Sequence, residues 1–121
     1  MLNRKEIGAW GEERAARYLR RKHYRIVERN FACKLGEIDL IVKNREYLVF
    51  VEVKQRKNAD HGMPREFVTA AKQARLRQTA MLWLEKHPTP LQPRFDVVEV
   101  YAPEGTATKK PEITHLENAF S

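Results

Sequence analysis

Two runs rich in β-branched residues, Gly36-Glu-Ile-Asp-Leu-Ile-Val and Tyr47-Leu-Val-Phe-Val-Glu-Val-Lys, are separated only by Lys43-Asn-Arg-Glu. A polar link this short between two such runs specifies an antiparallel hairpin. Strand side chains alternate between faces. Ile38, Leu40 and Val42 then take one face, and Glu37, Asp39 and Ile41 the other. On the partner, Val49, Val51 and Val53 oppose Phe50, Glu52 and Lys54. With Asn44-Arg45 as a two-residue turn, Ile38 pairs with Val51, Asp39 with Phe50 and Glu37 with Glu52. A slip of one residue mixes the aliphatic rows, so this register, or one shifted by two, is expected. Asp39, Glu52 and Lys54 then share a face, with Asp39 and Glu52 as diagonal neighbours roughly 7–8 Å apart.

The rest of the chain supplies layers for that hairpin. A helical pattern runs from Asn3 to Arg21, with Ile7, Gly11, Ala15, Tyr18 and Leu19 on one face. Asn3 and Glu6 have capping-box spacing. Gly8 and Gly11 permit close packing against a sheet. Tyr24 to Arg29 reads as a short strand and Asn30 to Leu35 as a loop. Asp60-His-Gly-Met-Pro is turn chemistry, with Pro64 opening a second helix from Arg65 to Lys86 that Pro88 and Pro90 end. Arg94 to Tyr101 is a strand, residues 102–111 a mobile surface loop, and residues 112–121 a tail that docks on the body. The order α-β-β-β-α-β predicts one α/β domain over residues 1–121, a mixed β-sheet core flanked by helices.

Composition narrows the setting. At 121 residues the chain can bury a core without covalent staples. Its one cysteine, Cys33, rules out an internal disulfide framework and suggests a reducing compartment. The N-terminus lacks a signal-peptide pattern and no apolar run reaches membrane-span length, so a cytoplasmic protein is expected. A net charge of +7 favours polyanions: DNA, RNA or an acidic membrane surface.

Two carboxylates converging from paired strands suit a hard cation such as Mg²⁺ or Mn²⁺, which takes oxygen ligands. Asp39 and Glu52 are the candidate metal ligands, with the carbonyl of Val53 as another. Lys54 can orient or deprotonate an attacking water, and Arg56, next on that face, can hold a phosphate. Glu12 lies at the edge of the apolar stripe of the first helix and can lean over the sheet, whereas Glu13 points to solvent. Lys72 interrupts the apolar series Val68, Leu76 and Ala80, so it either snorkels to the surface or meets the carboxylates or a phosphate. Glu-x-Lys alone occurs about once by chance in a chain of this composition. A solvated, charged hairpin face fits the same residues, and both readings stand at this level. Asp96 is expected to be structural, paired with a lysine. His61 and His115 lack zinc-site spacing and are expected to be loop or packing residues. No P-loop, dinucleotide fingerprint or nucleophile elbow is present.

Six segments together resemble the bacterial YraN-type family: Gly8-Ala-Trp-Gly-Glu-Glu-Arg-Ala-Ala with Asn30, Gly36-Glu-Ile-Asp-Leu-Ile, Phe50-Val-Glu-Val-Lys-Gln-Arg, Val68-Thr-Ala-Ala-Lys-Gln, Arg94-Phe-Asp-Val-Val and His115-Leu-Glu-Asn-Ala-Phe. That family is grouped with the restriction-endonuclease-like PD-(D/E)xK superfamily and is similar to archaeal Holliday-junction resolvases. The resemblance implies that Asp39 is the motif aspartate, Glu52 and Lys54 the (D/E)xK pair, and Glu12 the acidic residue of the first helix. Ile38 stands where the motif has proline.

The expected activity is Mg²⁺- or Mn²⁺-dependent endonucleolytic hydrolysis of DNA phosphodiesters, with branched DNA and Holliday junctions among the candidate substrates. Glu12, Asp39, Glu52 and Lys54 are the expected catalytic residues, and Arg56 and Lys72 contact nucleic acid. The alternative is a non-catalytic nucleic-acid-binding protein with a nuclease-like fold. A weaker third option is an adaptor using the apolar tail around Leu116 and Phe120. The resemblance also raises a homodimer, which the residues themselves do not specify.

Overall fold

A computed structural model describes residues 1–58 and 68–121. The elements are α1 (Arg4–Arg21), β1 (Arg25–Cys33), β2 (Gly36–Lys43), β3 (Tyr47–Arg56), α2 (Ala70–Lys86), β4 (Gln92–Tyr101) and β5 (Glu112–Phe120). Among the described residues one sheet runs in the order β1-β2-β3-β4-β5. Neighbours pair antiparallel except β3 and β4, which are parallel and are joined through α2. This is the expected mixed sheet flanked by helices, with the tail contributing a further strand.

Each helix covers one face. Ala15, Ala16 and Leu19 of α1 pack on Leu40, Val42, Val49, Val51, Val98 and Val100. Leu76, Ala80 and Trp83 of α2 pack with Val68 on the opposite face, against Ile41, Leu48, Phe50 and Val97. Burial on both faces explains why Leu48 to Glu52 is an unbroken buried run. Trp83 Nε1 also donates to Glu28 Oε1 at 2.9 Å, tying α2 to β1.

The capping box forms as expected: Asn3 Oδ1 accepts from the Glu6 N–H at 2.8 Å, and Glu6 Oε1 from the Asn3 N–H at 3.4 Å. Gly11 is buried and a Cβ there would overlap the Gln55 side chain, whereas Gly8 faces open space. Close packing therefore explains Gly11 and not Gly8. Ile7, expected on the buried face, stays 41 % exposed.

Several boundaries differ from the sequence-based expectation. β1 continues through Asn30 to Cys33, because Asn30 adopts φ 52° inside the strand and the loop shrinks to the Lys34-Leu35 turn. Asparagine tolerates this left-handed conformation better than most residues do. Gly36, at φ 152° and with its Cβ position 3.2 Å from Thr79 Oγ1, closes that turn in a backbone conformation that strains any side chain, with little room for one. α2 begins at Ala70 with Thr69 as its cap, and the expected start at Arg65 lies outside the described residues. The expected turn at residues 60–64 and its His61 lie outside the described residues. Residues 102–111 include a 3₁₀ turn at Gly105–Ala107 and buried Ala102 and Thr108.

The tail is the strand β5, paired with β4 from Tyr101–Glu112 to Phe95–Phe120. Phe120 stacks on Phe95 at 5.0 Å, and Leu116 packs against the α2-side core. Both residues are half-buried, so part of the apolar surface an adaptor would use is committed to the fold.

Candidate active site

The β2–β3 hairpin takes the register shifted by two. Leu40 pairs with Val51, Ile41 with Phe50 and Val42 with Val49. Asn44 sets this register: its Oδ1 accepts from the Glu46 and Tyr47 N–H groups at 2.9 and 2.8 Å, placing Arg45-Glu46 at the turn. The pairing stops at Leu40 and Val51. Beyond it, Asp39 Oδ2 accepts from the Val53 N–H at 2.8 Å, so this side chain lies between strands rather than on a face. Alternation is interrupted there. Ile38 packs with Ile41 on the α2 side and not with Leu40 and Val42, which corrects the expected face of Ile38.

The Asp39 and Glu52 carboxyl groups lie within hydrogen-bonding reach of each other. Burial, reinforced by the hydrogen bond to Glu52 and by its charge, pushes the Asp39 carboxyl up to about 8; the Val53 N–H works against this and Glu12 adds to it. Two carboxyl groups held together in a partly dry site cannot both ionise cheaply, so one retains a proton unless a cation arrives. The N–H and C=O of one strand residue point to the same edge, so the Val53 carbonyl also faces β2.

Glu12 reaches the same region from α1. Burial raises its carboxyl above the ordinary range, with Glu37 and Glu52 contributing, while a hydrogen bond with Asn30 and the charge of Arg29 oppose the rise. Asn30, lying between the Arg29–Leu40 and Phe31–Ile38 pairs, thus places its left-handed kink beside the acidic cluster. Backbone strain of this kind gathers at functional sites. Glu13, expected to point to solvent, is instead half-buried and reaches Arg29 Nη1 of β1 at 2.8 Å, with Arg17 and Arg20 of α1 also beside it.

The cations divide. Lys72 Nζ lies 3.5 Å from Glu52 Oε2, so its position on α2 serves the carboxylates. Lys54 is half-buried and, among the described residues, makes no ion pair. Arg56 Nε lies 2.8 Å from Glu99 Oε2. Glu99 is 2 % exposed and sits opposite Lys54 in the parallel ladder. Its role was hidden in sequence, because only the β3–β4 register brings it beside Lys54 and Arg56. Asn30 was missed as a site residue for a similar reason: it falls in a stretch without strand periodicity.

Among the described residues no three His, Cys, Asp or Glu side chains form a ready-made metal cage. The donor set itself (Asp39, Glu52 and the Val53 carbonyl) is all hard oxygen and fits Mg²⁺ or Mn²⁺, which keep several waters.

A separate polar cluster lies on the α1 side of β4. Asp96, 1 % exposed, accepts from Arg94 Nε at 2.9 Å and Nη2 at 2.8 Å, and Arg94 Nη2 lies 2.6 Å from the Tyr24 hydroxyl. His115 Nε2 lies 2.7 Å from Asp96 Oδ2, and the Asn118 N–H donates to Oδ1 at 2.9 Å. Burial alone would raise the Asp96 carboxyl, but His115 and Arg94 hold it below its ordinary value. Asp96 is structural as expected, with arginine and histidine in place of the expected lysine; it fastens β5 to β4. His115 is a packing residue as expected.

Comparison with known proteins gives the family. Residues 11–100 match the profile of the Uncharacterised protein family UPF0102. The chain belongs to UPF0102. It is 43% identical over 121 residues to a UPF0102 protein of Caldanaerobacter subterraneus, covering 98% of each chain. It is 44% identical over 120 residues to one of Syntrophomonas wolfei, covering 98% of this chain and 100% of that one. It is 46% identical over 118 residues to one of Pelotomaculum thermopropionicum, covering 97% of each. The resemblance noted from the sequence is therefore a family membership spanning nearly the whole UPF0102 chain. Among the described residues no helix is long and apolar enough to cross a membrane.

Proposed function

We propose that this UPF0102 protein is a divalent-metal-dependent endonuclease of the PD-(D/E)xK type that hydrolyses DNA phosphodiesters, with branched DNA as the substrate class its resemblance to junction resolvases suggests. The observation that carries this reading is the Asp39–Glu52 contact at the end of the β2–β3 ladder, with the Val53 carbonyl on the same edge. Mg²⁺ or Mn²⁺ held by Asp39, Glu52 and that carbonyl would offset charge on the phosphate and acidify an attacking water.

The chain's own groups supply the rest. Lys54, on the face of Glu52, orients the water or takes its proton. Glu12, held by Asn30, adds a third carboxylate. Lys72 can exchange Glu52 for a phosphate oxygen, and Arg56 stands next on the same face. In the reaction water adds to phosphorus, one ester P–O bond breaks, and the leaving alkoxide takes a proton.

A second reading is a non-catalytic nucleic-acid-binding protein. The Lys72–Glu52 ion pair favours it, because the chain then neutralises Glu52 from within. Metal dependence separates the two.

The test is cleavage of labelled single-stranded, duplex, flap and four-way-junction DNA in Mg²⁺, Mn²⁺ or chelator, with Glu52→Gln and Lys54→Ala alongside. Metal-dependent cuts that fall at least about a hundredfold in both folded variants support the nuclease. Undiminished cleavage by either variant removes this mechanism. Salt-sensitive DNA binding without cuts in any lane leaves the binding protein.

A further inference from the structure

On the outer side of α1 a groove of about 370 Å³ separates the helix from the segment leading into β5. Arg14, Arg17 and Arg21 line it from α1, and Lys109 and Lys110 from the facing segment. No carboxylate lines it, and Ile113 contributes to its apolar part. At about 100° per residue the three arginines fall within an arc of roughly 60°, and Glu12 lies roughly 140–180° away from them. They span about 10 Å of helix axis, or about three steps of 3.4 Å along one nucleic-acid strand.

Helix stability does not account for this arrangement. Arg14–Arg17 and Arg17–Arg21 have i,i+3 and i,i+4 spacings, at which like charges repel. Two further lysines face them from another element. Arg17 has partial relief from Glu13 at 3.7 Å, and Arg14 lies 5.4 Å from the centre of the Trp10 ring. Among the described residues Arg21, Lys109 and Lys110 have no carboxylate partner. A surface that gathers five cations from two elements, with Glu13 beside Arg17 as the one acid in ion-pair range among the described residues, is matched by an extended polyanion.

We infer that this groove is a second nucleic-acid contact, holding the sugar–phosphate backbone of DNA that flanks the carboxylate site. The inference rests on the nucleic-acid reading above and names the surface that positions the substrate. The groove faces away from Glu12, so it engages a different segment or arm from the one presented to Asp39 and Glu52. Arginine and lysine side chains on phosphates fix position and carry no base readout, so binding here is independent of sequence.

The test is binding of fluorescein-labelled duplex and four-way-junction DNA in chelator, where cleavage plays no part. The groove variant is Arg21→Gln/Lys109→Gln/Lys110→Gln. A control of equal charge loss is Lys34→Gln/Arg45→Gln/Lys86→Gln, and urea titration verifies that both fold. The groove variant should bind at least tenfold more weakly, with a salt dependence shallower by about 2 to 3 in log–log slope. The control should stay within about threefold of wild type. Equal effects in groove variant and control, an unchanged groove variant, or binding to phosphatidylserine vesicles in place of DNA would each overturn the inference. A groove effect in a protein that cuts nothing leaves the groove standing and removes the nuclease; cleavage with a silent groove does the reverse.

Discussion

The Asp39 carboxylate accepts a hydrogen bond from the main-chain N–H of Val53 at 2.8 Å, just beyond the last β2–β3 pair, Leu40 with Val51. A side chain thus takes over from the strand backbone at the point where two strands part. Burial and the adjacent Glu52 hold that carboxyl near 8. An unfolded aspartate titrates near 3.9, so the folded chain carries an extra proton between those values. The stabilising contribution is fully present below the unfolded value and is lost as pH rises through the folded one. In chelator the urea midpoint should fall between pH 5 and pH 9, and Asp39→Asn should fall less. A wild-type midpoint that holds or rises across that window contradicts this account of the site.

Metal should reverse that loss. At pH 8 a divalent ion at a hundred times its Kd adds about 2.7 kcal/mol to a protein that binds it only when folded. Mg²⁺ or Mn²⁺ should therefore raise the wild-type Tm and leave Asp39→Asn and Glu52→Gln nearly unmoved. Equal shifts in all three would place the ion elsewhere.

Asn30 gives a test of the Glu12 arm. Asn30→Gly keeps the left-handed kink free of Cβ strain and deletes the side chain that holds Glu12. Its stability should match wild type while cleavage drops about tenfold or more. Asn30→Ala should also lose about 1–2 kcal/mol, the cost of left-handed backbone with a Cβ. Full activity in a well-folded Asn30→Gly would show that Glu12 needs no such support.

Asp96 is the opposite electrostatic case to Asp39. Its folded-state value is depressed, so its contribution is present above the unfolded value and is lost as pH falls through the folded one. Asp96→Asn leaves buried Arg94 with only the exposed Glu117 carboxylate, 3.6 Å from its Nη1, and breaking the buried pair costs about 3–5 kcal/mol. The loss should be largest at neutral pH and should shrink below about pH 4. Urea titrations of both proteins at pH 3 and pH 7 measure it. A difference that grows toward acid would contradict the pairing.

Gly11 and Gln55 form a packing pair. The Gln55 amide donates to the Ile7 carbonyl at 2.8 Å across the space that a Cβ on Gly11 would fill. Gly11→Ala should cost about 1–3 kcal/mol through overpacking, partly offset by about 1 kcal/mol of helix propensity. In the double variant Gly11→Ala/Gln55→Ala the clash should disappear. Simple additivity in that cycle would mean that the two do not compete for space.

Sequence alone determined the parts governed by local chemistry. The capping box at Asn3 and Glu6 specified where α1 starts, and strand alternation placed Glu52 and Lys54 together on β3. Two β-branched runs with a short polar link specified the hairpin. Alternation has a period of two, so it allowed registers two residues apart and did not choose between them. The Asn44 side chain made that choice by capping the turn at Arg45-Glu46.

Tertiary structure decided whatever depends on which strands become neighbours. β5 forms because β4 offers it an edge and Asp96 a binding point for His115 and the Asn118 N–H. β1 runs through Asn30 because pairing with β2 outweighs one left-handed residue. Glu99 became a site neighbour only through the β3–β4 register. Asp39 was visible in the sequence as a carboxylate on a hairpin; that it lies between the strands beside Glu52 follows from where the ladder ends. Such features rest on contacts between residues far apart in the chain, and the local preferences of either partner do not encode them.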